Sequence, residues 1–221
     1  MKAVFFDFDG TLTTNNKNVW KSIWTALGYD TGKGSEYRRQ LDDFLENRIS
    51  YQEWCNQTLE CYIKKSLDIN IVNNISKNIN LVNGAIDTFK ILKSKGYSLH
   101  IVSGNIISVI QSVLGENVKY FDTINANQFI FDDNSRIKNI IGTKYDCVGK
   151  SEFIKEYIQK TGSNPKELYF IGNDYNDEWA YLSGCNTICI NPKNIEKTNY
   201  IKWHMVIENL TDLQQILKFI K

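Results

Sequence analysis

Residues 2–12 read Lys2-Ala3-Val4-Phe5-Phe6-Asp7-Phe8-Asp9-Gly10-Thr11-Leu12, a short apolar run that ends abruptly in two acids and a turn. A strand with one wet face alternates apolar and polar residues, and residues 3–6 do not. They suit a strand buried on both faces, as in the middle of a parallel sheet. Gly10 then provides the turn. Asp-Gly-Thr by itself is an ordinary turn sequence. Two acids directly behind a buried strand are harder to dismiss, because the fold must hold like charges close together.

Working outward, the texture changes at about residue 15. Val19, Trp20, Ile23, Trp24 and Leu27, then Leu41, Phe44 and Leu45, then Trp54, Leu59, Tyr62, Ile63 and Leu67 fall at helical spacing. Gly28 and Gly34 punctuate the stretch, and Ser50 is placed to cap the helix that follows. Residues 15–81 therefore read as several helices with no strand between them, and their aromatic residues read mostly as core.

Beyond Asn83-Gly84 strands and helices alternate. Residues 85–95 predict a helix with Ile86, Phe89, Ile91 and Leu92 inward and Gly96 closing it. Strands are expected at 97–102, 121–124, 168–171 and 187–190, and a hairpin from 129–131 and 137–141. Helices are expected after Asn105 to about 114, at 151–161, at 178–183 and at 210–219. This alternation predicts an α/β fold with a three-layer, Rossmann-like core around a parallel sheet. The core comprises residues 1–14 and 82–221, interrupted by an inserted helical domain at 15–81.

The chain has 221 residues, 42% hydrophobic and 23% charged, with a formal net charge of +1. That is enough chain to bury a core without disulfides. The near-neutral, interspersed charge argues against nucleic-acid or membrane-surface partners. Five cysteines lack the C-x-x-C spacing of a zinc site and read as reduced thiols. With no signal-peptide pattern and no long apolar stretch, the expected location is cytoplasmic. The expected assembly is a monomer or homodimer.

In a doubly wound sheet, ligands bind at the carboxyl ends of the strands. Three strands end there in polar clusters: Asp7 to Thr11, Ser103-Gly104-Asn105, and Gly172-Asn173-Asp174-Tyr175-Asn176-Asp177. Lys150 stands ahead of another helix. Taken singly, each has a bland reading: Ser103 as a helix cap, Lys150 as a surface lysine, the acidic string as a loop favoured by a helix dipole. Together they bring carboxylates, a hydroxyl, an amide and an ammonium to one sheet edge. That set suits a phosphate and a hard divalent cation. A carboxylate there can act as the nucleophile.

These residues carry a resemblance. Asp7-Phe8-Asp9-Gly10-Thr11-Leu12 resembles the first motif, D-x-D-G-[TS], of the haloacid dehalogenase superfamily, and Ser103, Lys150 and residues 172–177 resemble its second, third and fourth, in family order. The helical stretch at 15–81 and the run from Asn83 to Gly104 resemble the branch related to phosphoserine phosphatases, with its helical cap. The resemblance implies magnesium-dependent hydrolysis of a small phosphorylated metabolite. Asp7 would be the nucleophile, Asp9 the general acid and base, and Lys150 the balancing charge. Thr11, Ser103, Gly104 and Asn105 would hold the phosphate. The metal set would come from Asp7, Asp9 (through its carbonyl), Asn173, Asp174 and Asp177.

Two departures stand out. The fourth motif usually begins Gly-Asp, and here Asn173 follows Gly172, so either Asn173 or Asp174 takes the acid's place. The branch also carries a cap glutamate that holds the ammonium of phosphoserine, and residues 13–28 contain no acid. Arg38, Arg39 and Arg48 are candidates for an anionic substrate group, with helix-surface charge as the simpler reading. Two alternatives share the same residues: a phosphotransferase or mutase, and a non-catalytic module that binds a phosphorylated ligand.

Overall fold

The computed structural model describes residues 1–14, 18–143, 146–194 and 198–221. The expected start of the helical stretch, residue 15, lies outside them. In chain order, β1 (Ala3–Phe6) is followed by four helices: α1 (Val19–Ala26), α2 (Glu36–Leu45), α3 (Tyr51–Lys64) and α4 (Ile69–Ser76). Then come α5 (Ala85–Ser94), β2 (Ser98–Ile106), α6 (Ile107–Leu114), β3 (Thr123–Phe131) and β4 (Ile137–Ile141). The chain continues through α7 (Val148–Thr161), β5 (Leu168–Gly172), β6 (Asn186–Ile190) and β7 (Met205–Ile207). Seven strands form one sheet in the order β4-β3-β2-β1-β5-β6-β7, parallel throughout except for the β3–β4 hairpin.

The unbroken apolar character of β1 follows from its place at the centre. Val4 and Phe6 pack with Phe89 and Leu92 of α5, Ile110 of α6, and Leu213 and Ile216 near the C-terminus. Ala3 and Phe5 pack on the opposite face with Ile154 of α7 and Ala180. Two helical layers thus sandwich the sheet, the α/β architecture expected. Of the α5 residues read as inward, Ile86 is exposed, while Ala85 and Thr88 take the inward face with Phe89 and Leu92.

The helical stretch leaves and re-enters the sheet through one paired stem. Thr13 bridges Leu81, Thr14 N–H donates to Asn80 O (2.9 Å), and Val82 N–H donates to Leu12 O (2.9 Å). Ser50 caps α3 as expected, its hydroxyl accepting from Glu53 N–H while the Glu53 carboxylate accepts from Ser50 N–H (2.7 Å). The helices share a second apolar cluster containing Trp20, Trp24, Trp54 and Tyr62. It is completed by Ile106, Val109, Phe129, Ile137 and Ile140 from β2, α6 and the hairpin.

Four expectations need correction. β2 does not stop at residue 102 but runs through Ser103-Gly104-Asn105 to Ile106, with a register shift against β3. Asn127 spans that irregularity, its side-chain amide donating to Gly104 O (2.7 Å) and Asn105 O (3.1 Å), which keeps the polar segment extended. β3 merges the two short strands expected at 121–124 and 129–131. The C-terminal helix is a 3-10 segment beginning only at Leu213, because Leu210 is tied by both its N–H and its carbonyl to the Asn191 side chain. Trp179 and Tyr181, expected to pack the helix of the fourth motif, are exposed, and Ala180 is the buried contact.

Candidate active site

β1 has β2 on one side and β5 on the other, so consecutive crossovers diverge at its carboxyl end and leave a crevice there. Asp7 sits at that point, its N–H bonded to Ile171 O (2.9 Å) of β5. A cavity of about 420 Å³ opens above it. Asp7, Asp9, Ser103, Gly104 and Asn105 form its floor, Asn173 to Asn176 one side, and side chains of α1, α2 and α3 the other.

Lys150 lies below the floor with no exposed surface. Its ammonium donates to Asp7 Oδ1 (2.8 Å) and to Asp177 Oδ1, and stands 4.0 Å from Asp146 Oδ1. Burial opposes a charged lysine, but Asp177 and Asp7 outweigh it and hold the amine protonated. Asp177 uses its other oxygen to accept N–H bonds from Asn173 (2.8 Å) and Asp174 (3.1 Å), which fixes the shape of the loop after β5. Asp9 Oδ1 accepts from the Asn105 side-chain amide (2.8 Å), joining the first and second motifs.

Burial pushes the Asp7 carboxyl up despite Lys150, and pushes Asp9 up to about 7 against the lowering effect of the Asn105 bond. Asp177 also rises to about 7, through burial and then the neighbouring Asp7. Four carboxylates, Asp7, Asp9, Asp146 and Asp177, thus crowd around one buried ammonium, more negative charge than it offsets. The remaining donors are hard oxygens: carboxylates, the Asn173 amide and backbone carbonyls. Among the described residues no three His, Cys, Asp or Glu side chains are disposed as a closed metal cage. Magnesium does not need one, since it keeps several waters and shares a substrate phosphate. The residues fit magnesium.

The other expected residues fall as follows. Ser103 and Gly104 line the cavity, and the Ser103 hydroxyl accepts from Asn105 N–H (3.3 Å). Thr11 is fully buried, its hydroxyl donating to Asn173 Oδ1 (3.3 Å), so it meets the loop after β5 and not the cavity. Asp174 turns to Lys193, 2.9 Å away. Arg38 reaches the cavity while pairing with Asp42 (2.6 Å), and Arg39 and Arg48 pair with acids on the helix surface.

Sequence reasoning missed Asp146 and Asn127. Asp146 precedes Lys150 by one helical turn, accepts from the Asn176 amide (2.9 Å) and lies so close to Gly104 that a side chain there would meet its Oδ2 at 2.6 Å. The i,i+4 spacing to Lys150 was the available signal. Asn127 offered none, because its work depends on the register shift. Of the helical aromatics, Trp20, Tyr51 and Trp54 line the cavity, whereas Trp24 and Tyr62 are core. The Trp20 indole N–H donates to Gly104 O (2.9 Å).

The chain as a whole is similar to known proteins. The phosphoserine phosphatase of Methanocaldococcus jannaschii is 26% identical over 223 residues, spanning 100% of this chain and 98% of that protein. That of Wolinella succinogenes is 22% identical, spanning 98% of both. A solved phosphoserine phosphatase, an analogue of its phospho-aspartyl intermediate, superposes with a TM-score of 0.75 at 26% identity, covering 100% of this chain and 99% of the other. The model of the haloacid dehalogenase-like hydrolases matches residues 1–181. With that match spanning β1, the helical stretch and the loop after β5, the chain belongs to the haloacid dehalogenase-like hydrolase family.

Proposed function

We propose that the protein hydrolyses a small phosphomonoester with magnesium, passing the phosphoryl group through Asp7. The observation that carries this reading is the Asp7 carboxylate at the cavity floor, held by a buried Lys150 (2.8 Å) and neighboured by a second acid whose pKa lies near neutrality. In this reading an Asp7 oxygen attacks phosphorus, and the bond from phosphorus to the alcohol oxygen breaks. Asp9 protonates the departing oxygen, then takes a proton from the water that attacks the acyl phosphate. Phosphate leaves and Asp7 is restored. A carboxyl near 7 suits both halves, being able to give and take a proton at neutral pH.

Lys150 keeps Asp7 oriented and offsets charge that builds as phosphate approaches. The Ser103 hydroxyl and neighbouring backbone N–H groups hold phosphoryl oxygens. Magnesium, held by Asp7, the Asp9 carbonyl and Asn173, would offset the repulsion between a carboxylate and a phosphate dianion. Asn173 is preferred to Asp174 because Asp174 is paired with Lys193, and to Asp177 because Asn173 lines the cavity whereas Asp177 lies fully buried beneath it, held by Lys150 and two backbone N–H groups. Helices α1 to α4 act as a cap that excludes water and selects substrate.

The test is release of inorganic phosphate from a panel of phosphomonoesters, with magnesium and with excess chelator, wild type beside Asp7→Asn. Magnesium-dependent turnover that disappears in the variant is expected. Turnover that survives the substitution would rule out Asp7 as nucleophile.

A further inference from the structure

The side of the cavity built by α1 to α3 is aromatic. Trp20 and Trp54 lie 4.8 Å apart between ring centroids, Tyr51 packs 5.4 Å from Trp54, and Phe44 stacks on Trp54 at 5.8 Å and 25°. Leu41 and Leu45 extend the apolar surface. The charged residues that line the cavity from these helices are Lys21 and Arg38, and both are cationic. Asn18, Trp20 and Lys21 line the cavity, and the sequence from 13 to 28 contains no acid.

The acids on the remaining walls are engaged. Asp174 pairs with Lys193 (2.9 Å), and Asp146 accepts from Asn176 (2.9 Å) beside Lys150. An ammonium group on a substrate would be taken from water and set beside Lys21 and the Arg38–Asp42 pair (2.6 Å), and among the described residues no carboxylate lines the cavity from the helical side to receive it. Leaving a charge in that position is costly. A flat apolar group would gain ring contacts and lose little. Aromatic faces also attract cations, but the Lys21 ammonium on the same wall opposes a second.

We propose that the preferred substrate is the phosphomonoester of an alcohol with a flat, apolar, preferably aromatic body and no ammonium group, its ring seated against Trp20, Phe44, Tyr51 and Trp54. This rests on Asp7 and Ser103 marking the phosphate end of the cavity.

The test separates binding from turnover. Calorimetric titration of the full chain with magnesium would compare three non-reacting or slowly reacting ligands: benzylphosphonate, 2-amino-3-phosphonopropionate and phosphocholine. Benzylphosphonate is expected to bind at least about tenfold more tightly than either, the gain of burying one ring. Equal or tighter binding of the amino-acid phosphonate or of phosphocholine overturns the proposal, as does failure of the folded protein to bind benzylphosphonate. Because Trp54 is buried, Phe44→Ala provides the milder variant. It should weaken benzylphosphonate several-fold and leave inorganic phosphate unchanged; equal loss of both would assign the ring a purely structural role.

Turnover is then read on benzyl phosphate and O-phosphoserine. Tight benzylphosphonate binding by protein that releases phosphate from no ester would sink the hydrolytic reading and leave the pocket's preference standing. Faster turnover of O-phosphoserine would sink the preference alone.

Discussion

A carboxamide at residue 173 offers a hard cation one neutral oxygen, where a carboxylate would bring a charge as well. Asn173→Asp should therefore lower the magnesium concentration for half-maximal activity, by about tenfold. No change in that concentration would remove Asn173 from the proposed metal set. His100 makes a separate prediction. It is buried between Phe5 (5.0 Å, stacked) and Tyr157 (5.0 Å), and burial lowers its pKa from the ordinary 6.5 to about 4. As pH falls from 6.5 toward 4, the unfolded chain takes up a proton that the folded one refuses, so stability present above 6.5 is lost. The full gap is worth about 3 kcal/mol. His100→Gln should flatten that part of the acid dependence in urea titrations between pH 7 and 4. Parallel curves for the two proteins would show that His100 does not contribute it. The place of this histidine in a strand, between Leu99 and Ile101, was legible in the sequence. The role of Asp146 was not, because only the folded chain brings it to Gly104.

At the scale of elements, the start of α5 shows how little freedom the scaffold around the site has. Gly84 has φ of +72°, and a side chain there would collide with the Asp212 carboxylate. Leu213 N–H donates to Asn83 O (2.8 Å), which ties the same turn to the C-terminal segment. Gly84→Ala should cost about 2 kcal/mol or more in denaturant unfolding. A cost below a few tenths would mean that Asp212 gives way freely. The strands that sequence patterning located well, β1 and β5, are apolar on both faces and end at acids or glycine. β2 was drawn too short because Ser-Gly-Asn looks like a loop, and only the Asn127 side chain across the sheet makes it strand. β7 went unread: three half-buried residues after a polar stretch give no period to detect.

For the molecule as a whole, the helical stretch has no core entirely of its own. Its aromatic cluster is closed by Ile106, Val109, Phe129, Ile137 and Ile140, residues of the sheet and its helices. Trp20, Trp24 and Trp54 lie in this stretch and Trp179 and Trp203 outside it. Urea unfolding followed by tryptophan fluorescence and by far-ultraviolet circular dichroism should therefore coincide in a single transition. Two separated midpoints would show that the helices melt independently of the sheet. The alternation of strand and helix, and the helical interruption, could be read from periodicity. The mutual completion of the two cores could not, since it depends on contacts between segments distant in sequence, such as those of Trp20 and Tyr62 with Phe129.

The sealed position of Lys150 carries a chemical consequence of its own. An amine with no exposed surface, kept protonated between two carboxylates, has no lone pair to offer and no path to solvent. Acylating reagents and lysine-modifying enzymes meet the outer lysines long before this one. Its side chain becomes a nucleophile only in molecules that have opened, so its labelling would time the opening of the fold around the site.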